Sequence, residues 1–146
     1  MATVSAEIEI AAAPIAVWDL YFDPDRWRDW VDQFASVVES DGYPQAGGTL
    51  RWRSGRSGRG EVSERVLEHE PRHRHRISFS DPDSDGELLT AFEPIEGGTR
   101  CRQEMTYALR DAGLFARAAD VFFVRSQMRA SLERSLLALR AELEGL

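Results

Sequence analysis

The sequence predicts an α+β fold, and three observations carry that prediction. An alternating strand opens the chain and two short Trp-bearing helices follow it. A long run of strand-like segments, separated by Gly and Pro, comes next. A single helix-forming stretch over residues 112–146 closes the chain. A sheet of that length cannot bury a whole face flat against one helix. It must curl around the helix, and a curled sheet gripping a helix encloses a space.

The elements follow in order. Val4, Ala6, Ile8 and Ile10 alternate with Thr3, Ser5, Glu7 and Glu9, the pattern of a half-buried strand. Ala11 to Ala13 end it, and Pro14 sits where a first helical residue loses nothing by lacking an N–H. Ile15, Trp18 and Phe22 recur at helical spacing and form one apolar face. Asp23 then serves as an N-cap, Pro24 as a first helical residue and Asp25 as a match for the helix dipole. Trp27, Trp30 and Val31 make the apolar edge of this second helix.

Residues 34–40 read as a strand, closed by Asp41-Gly42-Tyr43-Pro44. Residues 48–53 put Leu50 and Trp52 on one face, Arg51 and Arg53 on the other. Residues 54–60, rich in Gly and Arg, read as a hairpin turn. The strand over 61–70 alternates untidily, which predicts a bulge and leaves open whether Glu64 or Glu68 points inward. His73, His75, Ile77 and Phe79 share one face of the next strand. Residues 81–86 are a turn, 87–93 a strand and 94–98 a hairpin. Residues 99–110 alternate most cleanly, with Cys101, Gln103, Met105, Tyr107 and Leu109 on one face. Short connections pair neighbouring strands antiparallel. In the last helix Leu132, Leu136, Leu139 and Leu143 form one stripe. Its first half, Leu114-Phe115 through Val121-Phe122-Phe123-Val124, is apolar around more of the circumference. That predicts burial on more than one side, against the sheet and either a pocket or a second subunit.

Composition sets the outer bounds. A chain of 146 residues is read as one domain, 1–146, able to bury roughly 70% of its unfolded surface. No apolar run reaches the ~20 residues of a membrane span. The opening residues carry Glu7 and Glu9 and no basic residue, unlike a signal peptide, so a cytoplasmic location is expected. A lone cysteine, Cys101, excludes an internal disulfide and a multi-cysteine zinc site, and reads as a small core residue. A net charge of −7 argues against nucleic acid as a partner, although Arg51/Arg53, Arg56/Arg59 and Arg74/Arg76 are local basic pairs. All 18 Lys+Arg residues are arginine. Schiff-base chemistry and lysine-dependent phosphate loops are therefore excluded.

The opening "EIEIAAAPIAVWDLYFDPDRWRDWV", the hairpin "AFEPIEGGTRCRQEMTY" and the long last helix together resemble the START-like, or SRPBCC, superfamily. Its polyketide cyclase/dehydrase and lipid-transport group is the most similar branch. The resemblance covers almost the whole chain. It implies a helix-grip fold: a seven-stranded antiparallel sheet wrapped around the C-terminal helix, with a deep hydrophobic cavity between them. That superfamily holds aromatase/cyclases, lipid and sterol carriers, hormone receptors and chaperone-ATPase activators, and fold does not choose among them.

Inward strand positions and the apolar helix face give the expected ligand-binding residues: Trp30, Phe34, Leu50, Trp52, Phe79, Phe92, Gln103, Met105, Tyr107, Phe122 and Met128. Trp18 is expected in the core instead. Gln103 and Tyr107 stand out as polar groups on an apolar strand face, placed to hydrogen-bond a ligand or a buried partner. His75 and Tyr107 are the candidate proton-transfer groups, because catalysis of a cyclisation or dehydration needs an acid–base group within reach of the substrate. His73 and His75 lie two residues apart with no third ligand evident, so neither a metal nor a cofactor is expected. The leading expectation is binding of a hydrophobic small molecule: a polyketide, lipid, isoprenoid or aromatic. A polyketide cyclase/dehydratase acting in the same cavity is the alternative. A protein-interaction module that docks a partner through residues 54–60 and the helix surface is the third. The residues leave the oligomeric state open, a dimer included.

Overall fold

Strand β1 (Ala2–Ile10) leads through α1 (Pro14–Tyr21) and a 3₁₀ turn (Pro24–Arg26) into the one-turn helix α2 (Trp27–Trp30). Six strands follow: β2 (Phe34–Asp41), β3 (Thr49–Ser54), β4 (Glu61–Glu70), β5 (Arg74–Ser80), β6 (Ser84–Ile95) and β7 (Gly98–Leu109). Helix α3 (Ala118–Glu144) ends the fold. The computed structural model describes residues 1–56, 58–110 and 118–146, with the side chains of 118–120 outside the description. Residues 112–117 of the expected helix, Leu114 and Phe115 among them, therefore lie outside the described residues.

All seven strands form one antiparallel sheet in the order β1-β7-β6-β5-β4-β3-β2. Six of them run as a meander, and β1 closes on the far side of β7. Asp23 caps the 3₁₀ turn, its carboxylate accepting from the Asp25 N–H at 3.2 Å. The indole N–H of Trp27 donates to the Tyr21 carbonyl oxygen at 2.8 Å and stitches α2 to the end of α1.

The apolar face of α1 differs in phase from the expected one. Val17, Trp18 and Tyr21 are buried, whereas Ile15 is exposed. In a helix of two turns, the stripes Ile15-Trp18-Phe22 and Val17-Trp18-Tyr21 are a small rotation apart, and packing onto the sheet selects the second. Phe22 caps the helix and packs its ring on His69 and His75.

Strand β4 carries a bulge between Val66 and Glu68, and it decides which carboxylate faces in. Val62, Glu64 and Val66 share the concave side by strict alternation. One extra residue then shifts the parity. Glu68 turns outward to Arg76, and His69 turns inward opposite His75.

Helix α3 makes its close contacts with β1, α2 and α1 rather than with the middle of the sheet. Leu132, Leu136 and Leu139 are buried there, with Val124, Met128 and Leu143 half-buried along the same stripe. Where the helix's first half is described, at residues 121–124, the expected burial on more than one side is not what the structure shows. Phe122 is 69% and Phe123 62% exposed, and Val121 is exposed too. These side chains sit off the stripe that meets β1 and α2, so among the described residues nothing covers them.

The convex face of the sheet is a lattice of ion pairs. Arg51 reaches Glu39 and Glu61, Arg76 reaches Glu68 and Glu87, and Arg100 reaches Glu9 and Glu93. These arginines are thus answered by carboxylates and form no open cationic strip.

Candidate functional site

The register of the sheet arranges its concave side in levels. Gln103 on β7, Thr90 on β6, His75 on β5 and His69 on β4 are successive cross-strand partners and form one polar row. Two residues along, Met105, Leu88, Ile77 and Val66 form an apolar row. Two further along lie Tyr107, Gly86, Phe79 and Glu64. The first and third rows are about 13 Å apart at the usual strand rise. Gly86 is required there, because a Cβ would run into the Thr106 carbonyl oxygen and the Phe79 ring.

Helices cover this floor. The Tyr21 hydroxyl hydrogen-bonds Thr90 Oγ1 at 2.7 Å and accepts from the Gln103 side-chain amide at 3.0 Å. Burial raises the Tyr21 pKa far above its ordinary value, so the phenol stays protonated. Beyond α2 the chain is strapped to α3. Asp32 accepts from Ser131 Oγ at 2.7 Å and from Arg134 at 3.1 Å through both carboxylate oxygens, and its N–H donates to Ser135 Oγ at 2.8 Å.

Between floor and cover lies a cavity of about 110 Å³, counted as space open to the centres of water molecules. That is room for several waters or a small organic body. Trp27, Trp30, Trp52, Tyr43 and Phe79 supply rings to its wall; Ile77, Leu88, Met105, Met128 and Leu132 supply aliphatic surface. From the floor and its edges polar groups enter at both ends, Gln103, Thr90, Tyr21 and His75 at the first row and Glu64 and Arg59 at the third, and Asp32, Ser131 and Ser135 enter from the cover.

Four buried side-chain polar atoms have no protein partner among the described residues: Trp30 Nε1, Arg59 Nη2, His75 Nε2 and Gln103 Oε1. All four belong to residues that line this cavity. Arg59 is otherwise well held. Its Nε donates to Asp81 at 2.8 Å and its guanidinium lies 4.5 Å from the centre of the Phe79 ring. Glu64 accepts from the Trp52 indole N–H at 2.8 Å. Burial pushes the Glu64 carboxyl above its usual range, with the Trp52 hydrogen bond and Arg59 opposing. Burial first, then the neighbouring His69, push His75 down to about 3, so its imidazole is neutral at pH 7. The two Nδ1 atoms of His69 and His75 lie 3.0 Å apart.

A family model described as polyketide cyclase/dehydrase and lipid transport matches residues 1–144. The chain belongs to this family, within the SRPBCC superfamily. Solved relatives share the fold. A Thermus thermophilus protein is 23% identical, with 99% of this chain and 98% of that one covered and a TM-score of 0.78. A Rhodobacter sphaeroides protein is 26% identical, covering 98% and 92%, with a TM-score of 0.72. The Aha1 dimer from Colwellia psychrerythraea is 17% identical, covering 99% and 97%, with a TM-score of 0.67. No curated protein matches the chain.

In this family member the expected ligand-binding residues divide. Trp30, Trp52, Phe79, Gln103, Met105 and Met128 line the cavity, and His75 joins them. Leu50, Phe92 and Tyr107 are buried but do not line it. Phe92 packs on Trp18 and Tyr21, and Phe34 fills the gap between Trp27 and Trp52. Phe122 is at the surface, off the stripe by which α3 packs. The candidate proton-transfer pair is thereby separated, since Tyr107 is not in the cavity wall. His73 is exposed and apart from His75. Among the described residues no group of three or more His, Cys, Asp and Glu could hold a metal, and no helix is long and apolar enough to cross a membrane. Cys101 is fully buried and its thiol is pushed up to about 12 by that burial.

Sequence reasoning missed Tyr21, Thr90, Arg59 and the straps from Asp32 to Ser131 and Ser135. Tyr21 was detectable as the hydroxyl-bearing residue one helical turn from Val17 and Trp18. Arg59 was hidden in a Gly-rich turn whose path no periodicity fixes.

Proposed function

We propose that this chain binds a small, mostly apolar organic molecule, such as an aromatic, polyketide or isoprenoid, in the cavity between sheet and α3. The observation carrying this reading is that the four partnerless buried polar atoms found among the described residues all belong to residues lining one cavity. Each costs about 1–3 kcal/mol unless something answers it. A chain shaped for stability alone would spread such atoms thinly or remove them. Ring and aliphatic surface between the polar ends fits an apolar body held by a few oriented hydrogen bonds.

Native mass spectrometry of the protein from its own host is expected to show a retained organic molecule. Titration with 2-ethylnaphthalene is expected to quench tryptophan fluorescence saturably, and Leu88→Phe to abolish the effect by filling the space. No retained molecule and no saturable quenching would defeat the reading.

A second reading, cyclisation or dehydration in the same cavity, is favoured by one observation: the half-buried Glu64 lines that cavity, where burial pushes its carboxyl above the usual range. His75 supports it less, since an imidazole at about 3 is a weak base at pH 7. Turnover of a poly-ketone that Glu64→Gln abolishes, while binding persists, would establish this reading over simple carriage.

A further inference from the structure

The four partnerless atoms are not scattered over the cavity. His75 and Gln103 belong to the first row of the floor, and Trp30 packs its ring 5.0 Å from that of Tyr21, whose hydroxyl holds Gln103. Arg59, from the turn between β3 and β4, lies over Phe79 of the third row and near Glu64. Ile77, Leu88 and Met105 on the floor separate the two ends, with Met128 and Leu132 above. The floor of the cavity is polar, then apolar, then polar along the strand direction, while Asp32, Ser131 and Ser135 on the cover bond one another.

The chemistry of each end narrows what it can receive. At the first end Gln103 Oε1 accepts and Trp30 Nε1 donates. A hydroxyl both gives and receives a proton, so it satisfies the pair, and it does so whichever way the Gln103 amide is turned. At the other end Arg59 Nη2 only donates, so the ligand must present an acceptor. That acceptor should be uncharged. Asp81 already pairs with Arg59, and the Glu64 carboxyl lies close by, so a ligand carboxylate would be a third acid facing one cation.

We propose that the cavity selects a ligand with oxygen at both ends of an apolar body: a hydroxyl received by Gln103 and Trp30, and a neutral carbonyl oxygen received by Arg59. This rests on the binding function proposed above and adds the identity and placement of the ligand's polar groups. Arg59 and Gln103 are then the specificity-determining residues, one for each end.

The test is a crossed series on the full chain, read by tryptophan quenching or calorimetry at neutral pH. The probes are 2-acetyl-6-hydroxynaphthalene, 2-acetylnaphthalene, 6-ethyl-2-naphthol, 2-ethylnaphthalene and 6-hydroxy-2-naphthoic acid. The hydroxy-ketone is expected to bind tightest, with at least a tenfold loss when either oxygen is removed and a similar loss for the acid. Arg59→Met should erase the preference for the ketone and keep that for the hydroxyl; Gln103→Leu should do the reverse. The wild-type series alone decides the matter if either variant fails to fold. Equal affinity within twofold for all five probes would overturn the two-ended selection and leave cavity binding standing. Tighter binding of the acid than of the ketone would also overturn it. Binding of none of the five would remove both.

Discussion

The two faces of this sheet treat polar groups in opposite ways. On the convex face arginines meet carboxylates on neighbouring strands, as Arg51, Arg76 and Arg100 each do twice. Those pairs stand in water, where such contacts contribute little to stability. On the concave side, the sheet and what covers it included, polar atoms are few and deeply buried, and four of them have no protein partner among the described residues. Satisfaction is fullest where it matters least and incomplete where it costs most. Burial alone does not explain that contrast, because Tyr21, Thr90 and Asp81 are also buried and are fully engaged. The incomplete set belongs to residues that line one cavity, which is how a receptor site differs from a core.

The largest effect expected from the concave side is on acid stability. His75 falls to about 3 in the folded chain against about 6.5 unfolded, because burial and His69 disfavour its charge. The unfolded chain therefore binds more protons between these values. Stability contributed by the neutral imidazole is complete above pH 6.5 and is lost as pH falls toward 3, by up to ~1.4 kcal/mol per pH unit. His69, lowered by burial, acts in the same direction. At Asp81 burial works to raise the carboxyl, but Arg59 and the N–H groups of Asp83 and Ser84 outweigh it and hold the group below its usual range. Asp81 therefore adds loss only under about pH 3.8. Urea unfolding of wild type and His75→Phe should show a shallower slope for the variant between pH 6.5 and 4; parallel slopes would mean the imidazole is not buried neutral.

Next in size is Tyr21→Phe. It strips the hydroxyl that joins Gln103 to Thr90 and leaves two more buried polar groups alone. A loss of about 1–3 kcal/mol is expected in chemical denaturation, and an unchanged midpoint would contradict the hydrogen-bonded row. Smallest is Arg100→Ala on the convex face, expected to leave the midpoint unchanged within error and to lose any difference at high salt. A convex substitution that rivalled Tyr21→Phe would dissolve the contrast between the faces.

Much of the fold was legible because the strands facing the core announce themselves. The alternation in β3 and β7 put Leu50, Trp52, Gln103 and Met105 on the correct side. The bulge in β4 was legible as irregularity in that alternation, but its consequence was not. Whether Glu64 or Glu68 points inward depends on where one extra residue is inserted, and the hydrogen-bond register of β5 decides that. The same limit explains Phe122. Apolar character predicts a tendency to burial, whereas the neighbour that would cover it must come from elsewhere in the fold. The cavity wall was half legible. Inward strand positions were found, but Tyr21 and Arg59 arrive from a short helix and a turn, where phase and path are set by tertiary packing rather than by period.

Whether Gln103 serves a ligand or the fold is decided by Gln103→Leu, with unfolding midpoint and affinity for 2-acetyl-6-hydroxynaphthalene measured on the same preparation. Leucine removes the partnerless Oε1 along with the bond to Tyr21, which keeps Thr90. An unchanged or higher midpoint is expected together with at least a tenfold weaker affinity. A clearly lower midpoint with unchanged affinity would contradict that expectation, making Gln103 a structural strut and the cavity incidental.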